Sequence, residues 1–314
     1  MAHRLTLARR LFMGLCALWA ASAGSGPLIG GRSADPALRR AFERFLPLLG
    51  QAELSLPLLQ AALQESFGCL PPSLREEIVA QAGAAGVSWQ VAAAYNLAEA
   101  LPLSARTLQQ CLPRAIGFCL PRKDWQNGIL ALAFLPLAEE PTWREEGLLS
   151  GLAVGRRMGF HLAINGSLAA LCLALEPARW LGPGVPGPAI IREALRIGRT
   201  LGDALAIARS LPPARLTACT FYDCVEGVGQ VLLTGEAPSL EEPGRALLVQ
   251  GVQGAEPNLA WLRRAVEAND GWLTARKAVQ LLQQALPGAC AVAIDADARV
   301  GLLAGHRGVQ ELIF

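Results

Sequence analysis

The chain has 314 residues and a formal net charge of only +2, with 52% hydrophobic and 17% charged residues. This charge is small, and no basic run is interleaved with aromatic residues, so we do not expect a nucleic-acid-binding surface. The apolar composition argues against a disordered chain and predicts a sizeable core that consists mostly of leucine and alanine.

The N-terminus has the pattern of a secretory signal peptide. Positively charged MAHRLTLARR precedes the apolar run LFMGLCALWAASA, which ends in small residues. We therefore expect a signal peptide over residues 1–23, cleavage after Ala23, and export to the periplasm or the extracellular space. The run is shorter than the roughly 20 apolar residues of a transmembrane helix, so we expect no integral membrane segment in the mature chain. The alternative is a buried amphipathic helix at the N-terminus.

The cysteines and histidines do not predict a metal site. The cysteines lack the close paired spacing of zinc ligands, and the three histidines are widely separated. We expect no metal and no cofactor. Export would permit disulfides, but the spacing identifies no pair, and a cysteine in an apolar segment such as AALCLAL is more typical of a small buried hydrophobe. The eight cysteines are Cys16, Cys69, Cys111, Cys119, Cys172, Cys219, Cys224 and Cys290.

The first hundred residues are predicted to be helical. ADPALRRAFERFLPLLG has apolar residues at helical spacing, with Pro36 near its first turn and Gly50 as a stop signal. Residues 56–66 continue the helical pattern. Ser73 stands three residues before a glutamate, which predicts a capping box, and Ser88 opens a further helix of small residues.

Strand patterns begin near residue 115. AIGFCLP and GILALAFLPL are short apolar segments joined by PRKDWQNG, in which Asn127-Gly128 is a turn signal. EGLLSGLAVG, FHLAING and SLAALCLAL continue as strands, with a second tight hairpin predicted at Asn165-Gly166.

The second half of the chain alternates helices and strands. AIIREALRIGRTLGDALAIARSLP predicts two helices that separate near Thr200, and TACTFYDC, VGQVLLTG and RALLVQGV predict strands. Two helical segments follow, and ACAVAIDADARVGLLAG predicts a closing hairpin that turns at Asp297-Ala298. The order predicts an α+β fold of layered sheets covered by helices. No polar linker interrupts it, so we expect one domain over residues 24–314.

The order of these segments resembles the penicillin acyltransferase family of N-terminal nucleophile hydrolases, which cleave themselves to expose an N-terminal cysteine. GVSWQVAAAYNLAEAL is similar to the family's segment before the cleavage site, and FHLAINGSLAALCLAL to its Gly-Leu-Asn-Ser-Ala-Gly-Leu hairpin. The segment from Gly182 to Ala214 is similar to the family's loop and helix pair, and ACAVAIDADARVGLLAG to its C-terminal hairpin.

The resemblance implies a four-layer αββα sandwich of two mainly antiparallel sheets, and amide or ester chemistry. In that chemistry a thiol at the new N-terminus attacks an acyl carbon, its α-amino group serves as the base, and fixed donors hold the oxyanion. When the turns are aligned without gaps, Ala115 stands at the nucleophile position. Phe134, Leu135 and Leu137 then replace the family's Arg, Asn and Asp, and Cys219 replaces its oxyanion Asn.

Other registers keep a thiol. Shifting the alignment by four residues places Cys111 at the start of the strand, and a shorter loop would place Cys119 there. Neither register supplies a polar partner from ILALAFLPLA, and a nucleophile without orienting partners is a weak proposal. Asn165 matches a family position but is typical of a turn. His161, Tyr222 and Asp223 are polar residues near strand ends and are not proposed as a site.

Three functional hypotheses follow. The first is an exported acyltransferase- or amidohydrolase-like protein that has lost its catalytic groups and acts as a binding or structural homologue. Its partner would be a small acyl or amide ligand or another protein, and not a nucleic acid. The second is an active, self-processing amidohydrolase or acyltransferase that uses Cys111 or Cys119. The third is an unrelated, helix-rich exported protein.

Overall fold

The computed structural model describes most of the chain from residue 35 to its end at residue 314. The described residues are 35–49, 56–103, 107, 115–120, 127–135, 141–166, 168–176, 179–234, 239–241, 248–251, 256–269, 272–305 and 308–314. The predicted signal peptide and Cys111 lie outside them.

Eight α-helices lie in these residues. Four precede the first strand, two lie between the sixth and seventh strands, and two follow the tenth strand. They are α1 (Pro36–Leu49), α2 (Leu56–Cys69), α3 (Pro72–Ala85), α4 (Trp89–Asn96), α5 (Gly187–Ile197), α6 (Leu201–Ser210), α7 (Glu256–Glu267) and α8 (Ala275–Ala285). A short 3₁₀ turn, Ala98–Ala100, extends α4.

Thirteen strands in the described part of the chain form two sheets. They are β1 (Ala115–Leu120), β2 (Ile129–Phe134), β3 (Pro141–Glu146), β4 (Leu149–Val154), β5 (Leu162–Asn165), β6 (Leu168–Ala174), β7 (Thr217–Asp223), β8 (Gly227–Leu233), β9 (Ser239–Glu241), β10 (Leu248–Gly251), β11 (Cys290–Asp295), β12 (Val300–Gly305) and β13 (Gly308–Ile313). The first sheet has the order β10-β1-β2-β11-β12-β13, and the second runs from β3 to β9 in chain order. Every pairing between these strands is antiparallel.

Buried side chains divide into three layers, because strand residues alternate between the two faces of a sheet. In β2, Leu130, Leu132 and Phe134 face the second sheet and belong to the inter-sheet core. Their neighbours Ile129 and Ala131 face α7 and α8. A third, helix-facing cluster lies between the second sheet and helices α1 to α6. The predicted four-layer αββα sandwich is therefore confirmed.

The closing hairpin holds the last two residues of the connection between β1 and β2, Asn127 and Gly128. Leu120 pairs with Ile129, so the connection spans residues 121–128. Asn127 Nδ2 donates to Asp295 Oδ2 at 2.7 Å and to the Leu273 carbonyl at 2.9 Å. Gly128 lets the Tyr222 ring approach closely, because a Cβ there would lie 2.2 Å from the ring. The closing hairpin turns over residues 296–299, as the sequence predicted.

The helix pair before β7 matches its prediction, whereas one predicted cap is wrong. Thr200 caps α6 with a reciprocal capping box that includes Asp203. Helix α3 instead begins after Pro71, and Ser73 lies inside its first turn with no cap hydrogen bond at the N-cap position. Proline at the first helical positions supplies the start, because its fixed φ suits a helix and it has no N–H to leave unpaired.

Three strands carry no sequence prediction: β3, β9 and β13. Each lies at the edge of a sheet. In β3, Pro141 begins a strand whose side chains are exposed or half-buried. Such an edge strand lacks the apolar alternation by which buried strands are recognised. Among the described helices, none is both long and apolar enough to cross a membrane. The single domain over residues 24–314 stays a prediction.

Candidate functional site

The start of β1 has no nucleophilic side chain. Ala115 is 5% exposed and faces the inter-sheet core. It pairs with Phe134 of β2, whose other cross-strand partner is Cys290 of β11. The Phe134 side chain is fully buried. The position that the resemblance assigns to a nucleophile is therefore an alanine packed beside an aromatic ring.

Cys119 lies farther along the same strand and faces the same core. It pairs with Leu130, and burial raises the pKa of its thiol to about 12. The reactive form of cysteine is the thiolate, which a thiol with this pKa barely populates near neutral pH. Cys119 therefore lacks the electrostatic surroundings of a catalytic cysteine. Cys111, the other candidate nucleophile, lies outside the described residues.

The remaining positions of the ungapped register do not form one site. Leu135 follows Phe134 and is half-buried, whereas Leu137 lies outside the described residues. Cys219 is fully buried in the helix-facing cluster, on the opposite side of the second sheet from the inter-sheet core. The structure therefore does not bring Cys219 into the layer that holds Ala115 and Phe134.

A polar cluster lies beside Phe134 at this end of the sandwich. We call Glu99, Arg157, His161 and Arg215 the sandwich-end cluster. The His161 ring meets the Phe134 ring edge-on, with 5.1 Å between ring centroids. His161 Nε2 is 3.8 Å from Glu99 Oε1, and both side chains are about one-tenth exposed, at 11% and 12%.

Helix α4 positions the segment that carries Arg157 and His161. Asn96 accepts a hydrogen bond from the Met158 N–H through Oδ1 at 2.6 Å, and its Nδ2 donates to the Ala92 carbonyl at 2.9 Å. The Tyr95 hydroxyl accepts from the Arg156 N–H at 3.0 Å. These contacts fasten the chain after β4 to the last turn of α4. Glu99 follows three residues after Asn96, so α4 positions both Glu99 and the segment that carries Arg157 and His161.

Two buried arginines surround the Glu99 segment. Arg215 Nε donates to the Glu99 carbonyl at 2.6 Å, and its Nη2 donates to the Leu101 carbonyl at 2.5 Å. Arg157 stacks over the rings of Phe45 and Tyr95, at 5.3 and 5.4 Å from their centroids. Arg215 therefore holds backbone carbonyls, and Arg157 places its charge against aromatic faces.

Burial opposes charge on both members of the His161–Glu99 pair. Desolvation, with a further contribution from Arg157, lowers the pKa of His161 to about 3. Desolvation also raises the pKa of Glu99, although Arg157 and Arg215 act in the opposite direction. His161 is therefore neutral near pH 7. At 3.8 Å the pair is also too long for a direct hydrogen bond.

A thiol completes the residue types of a cysteine–histidine–carboxylate site, but with unsuitable electrostatics. The Cys172 N–H donates to the His161 carbonyl at 2.8 Å. The pKa of the Cys172 thiol is raised, first by burial and also by Cys219 and Glu99. An activated cysteine needs a lowered pKa and a protonated or hydrogen-bonded base. The pKa directions of Cys172 and His161 are the reverse of that requirement.

The other polar residues noted in the sequence have local structural contacts. Asn165 Nδ2 donates to the Leu195 carbonyl, which joins the β5–β6 hairpin to α5. The Tyr222 hydroxyl donates to Asp297 Oδ1 at 3.0 Å. Asp223 Oδ1 accepts from the Val225 and Glu226 N–H groups at 2.7 and 2.8 Å, which closes the β7–β8 turn.

The sequence shows His161 near a strand end but gives no indication of its partners Glu99 and Arg215 in the sandwich-end cluster. Glu99 and Arg215 lie 116 residues apart in the chain, and neither stands in a catalytic motif. The only signal was a charged residue in each of two apolar segments, NLAEAL and PPARLTAC. For metals, the described residues contain no group of three or more His, Cys, Asp or Glu side chains placed to hold an ion.

Comparison with known proteins gives structural neighbours only. No family profile and no curated protein sequence matches the chain. One similar solved structure is the Caenorhabditis elegans ortholog of N-acylethanolamine-hydrolyzing acid amidase, with 9% identity, a TM-score of 0.46, and coverage of 58% of this chain and 92% of that one. A variant of conjugated bile acid hydrolase from Clostridium perfringens has 8% identity, a TM-score of 0.44, and coverage of 63% and 92%. Penicillin V acylase from Agrobacterium tumefaciens has 11% identity, a TM-score of 0.42, and coverage of 63% and 84%.

The identities of these three structures are at most 11% and their TM-scores lie below 0.5. The αββα layers rest on the strands and helices of the chain itself. In that layer order the chain resembles the N-terminal nucleophile hydrolases, as the sequence predicted.

Proposed function

We propose that this chain is a non-catalytic, amidohydrolase-like protein with a binding or structural role. The observation that supports the proposal is the apolar packing at the start of β1. Ala115 stands at the nucleophile position of the ungapped register, and the buried Phe134 ring fills the space beside it. Attack on an amide needs a nucleophile, a base and donors for the oxyanion.

The described residues nearest Ala115 across the sheet supply none of these groups in usable form. A phenylalanine ring neither accepts a proton nor stabilises an oxyanion. Cys119 lies in the same layer as a buried thiol with a pKa of about 12. On this proposal the partner is a small acyl or amide ligand or another protein.

The sandwich-end cluster favours a second candidate function. His161 contacts the Phe134 ring, and Glu99 lies beside His161. Only the Phe134 ring therefore separates this histidine and carboxyl group from Ala115 at the start of β1. An active, self-processing amidohydrolase or acyltransferase with Cys111 or Cys119 as nucleophile would have potential proton-transfer groups there. The lowered pKa of His161 counts against this candidate, because a general base works best with a pKa near the working pH.

The intact mass of the purified protein distinguishes the two candidates. The proposed non-catalytic protein stays one chain, whereas self-processing before Cys111 or Cys119 yields two. A cysteine-directed amide or nitrile probe then reports any activated thiol. Matched Cys111→Ala and Cys119→Ala variants show which cysteine is responsible. Two fragments in the wild type, with one variant uncleaved and unlabelled, would establish the enzyme and overturn our proposal.

We also propose that the chain is exported, because its first 23 residues have the charge and hydropathy pattern of a secretory signal. N-terminal sequencing of native protein tests this point separately. A mature chain that begins near Gly24 would agree with export. A native chain that begins at Met1 or Ala2 would contradict it.

A further inference from the structure

Cys172 and Cys219 lie directly opposite each other on neighbouring strands. They are cross-strand partners in the β6–β7 register. The Cys172 N–H donates to the His161 carbonyl on the other side of β6. Because the backbone N–H and C=O of a strand residue point to the same side, both of these groups of Cys172 point toward β5 and away from β7. Cys172 and Cys219 therefore form a non-hydrogen-bonded pair.

That type of pair brings two side chains close together. Its Cα atoms are about 4.5 Å apart, closer than in the hydrogen-bonded type. Disulfides span Cα separations of about 4.4–6.8 Å, so this register allows a bond without a shift of the strands. The separation is at the short end of the range, where a disulfide is strained and more easily reduced.

Packing holds both sulfurs on the same face of the sheet. Both residues belong to the helix-facing cluster, with Cys172 1% and Cys219 0% exposed. Besides burial, the neighbouring Cys219 thiol raises the pKa of Cys172. Gly187 at the start of α5 lies against Cys172, because a Cβ there would lie 2.5 Å from Cys172 Sγ and 2.7 Å from Thr217 Cγ2. The absence of a side chain at Gly187 lets the helix approach Cys172.

We propose that Cys172 and Cys219 form a redox-active dithiol that closes to a cross-strand disulfide when the chain folds in the presence of a disulfide oxidant. With glutathione disulfide, one cysteine thiolate attacks the oxidant and releases one glutathione. The second cysteine then attacks the mixed disulfide and releases the other. The protein gains one S–S bond and loses two hydrogens, and one glutathione disulfide becomes two glutathiones.

Burial dictates when this reaction occurs. In the folded, reduced protein an oxidant cannot reach either sulfur, and the raised pKa of Cys172 leaves little thiolate to attack. The bond therefore forms while the strands assemble or when α5 detaches briefly. We expect refolding in a glutathione redox buffer to close the pair at least about ten times faster than incubation of folded, reduced protein in the same buffer.

Mass spectrometry of the full chain tests the proposal. The protein is refolded with glutathione disulfide, quenched in acid and alkylated. We expect a species about 2 Da lighter than the fully reduced chain, corrected for alkylation. Trypsin cleaves after Arg157, Arg179 and Arg215 and places Cys172 in the peptide 158–179 and Cys219 in the peptide 216–245. The second peptide also contains Cys224, so chymotryptic cleavage after Phe221 or Tyr222 is needed to separate the two cysteines.

Three variants assign the bond. Cys172→Ala and Cys219→Ala should each abolish the lighter species. Cys119→Ala should keep it, because Cys119 is equally buried but lies in the inter-sheet core. If an alanine variant does not fold, the wild-type peptide map alone decides. A fully reduced chain after oxidative refolding to the native circular dichroism spectrum would overturn the proposal. A link through Cys224 or any other cysteine in place of this pair would also overturn it.

Discussion

The substitution Phe134→Ala tests whether the start of β1 is packed rather than open. Phe134 is fully buried between Ala115 and Cys290 in the central strands of the first sheet. Removing the ring deletes buried apolar contacts and leaves a cavity, which costs about 3–5 kcal/mol for a phenylalanine in a core. The edge-on contact with His161 accounts for about 0.5–1.5 kcal/mol of that cost. A loss of about 4 kcal/mol raises the unfolding equilibrium constant nearly a thousandfold.

Urea unfolding monitored by far-UV circular dichroism measures this loss. The midpoint should fall while the slope of the unfolding free energy against urea stays unchanged, since the substitution leaves the overall fold intact. Phe118→Ala is the matched control, because Phe118 is equally buried in the same sheet but faces α7 and α8. We expect the two losses to agree within about 1 kcal/mol. A loss below about 1 kcal/mol for Phe134→Ala, with the full loss for Phe118→Ala, would refute the conclusion that the start of β1 is packed.

Three further predictions concern Gly159, His161 and Thr200. Gly159→Ala should destabilise the fold by about 2–5 kcal/mol, because Gly159 has φ +100° and a Cβ would lie 2.6 Å from the Pro188 carbonyl carbon. The control Gly147→Ala, at φ +65° in open space, should cost only about 1–2 kcal/mol. Equal losses for the two variants in thermal or urea melts would contradict this reason. The pKa of His161 falls from 6.5 to about 3 on folding, so the unfolded state binds more protons than the folded state between these pH values. The stability due to neutral His161 is therefore complete above pH 6.5 and is lost as pH falls toward 3. The wild type should therefore lose up to about 1.4 kcal/mol per pH unit more than His161→Gln in urea melts between pH 6 and 4, and parallel curves would contradict the assignment. Thr200→Ala should cost about 1 kcal/mol through loss of the α6 cap, and an unchanged melting curve would show that the cap is not needed.

The sequence predicted the buried elements of the fold well, because their apolar patterns are set by burial. β1 and β2 are buried on every residue, and AIGFCL and ILALAF are accordingly apolar throughout. The turn at Asn165-Gly166 and the helix boundary at Thr200 also follow from local chemistry. Gly166 adopts φ +53°, a conformation that glycine reaches without strain.

The elements that the sequence did not reveal are those whose stability comes from partners elsewhere in the chain. β3 contains Thr142, Arg144 and two glutamates, and it is held by antiparallel pairing with β4. β13 exposes Val309 and Ile313 and is held by β12. A strand of this kind has no periodic apolar pattern, since only its backbone is satisfied by the sheet.

The sandwich-end cluster was hidden for a similar reason. Glu99 comes from the turn after α4, His161 from the segment before β5, and Arg215 from the loop before β7. Their proximity depends on the second sheet and its helices packing together, which no local spacing encodes. The electrostatic outcome also depends on that packing, because burial is the main cause of the pKa shifts of both Glu99 and His161.

The cysteines show how position in the layers, rather than sequence context, determines the chemistry of a thiol. Cys119 and Cys172 both stand in apolar strands and read alike in the sequence. In the structure Cys119 faces the inter-sheet core, with Leu130 as its cross-strand partner, whereas Cys172 faces the helices with Cys219 opposite. Successive side chains of a strand point to opposite faces of its sheet, and this alternation places the two thiols in different layers. Self-cleavage and disulfide closure are therefore independent questions, and a chain that never cleaves itself can still form the Cys172–Cys219 bond.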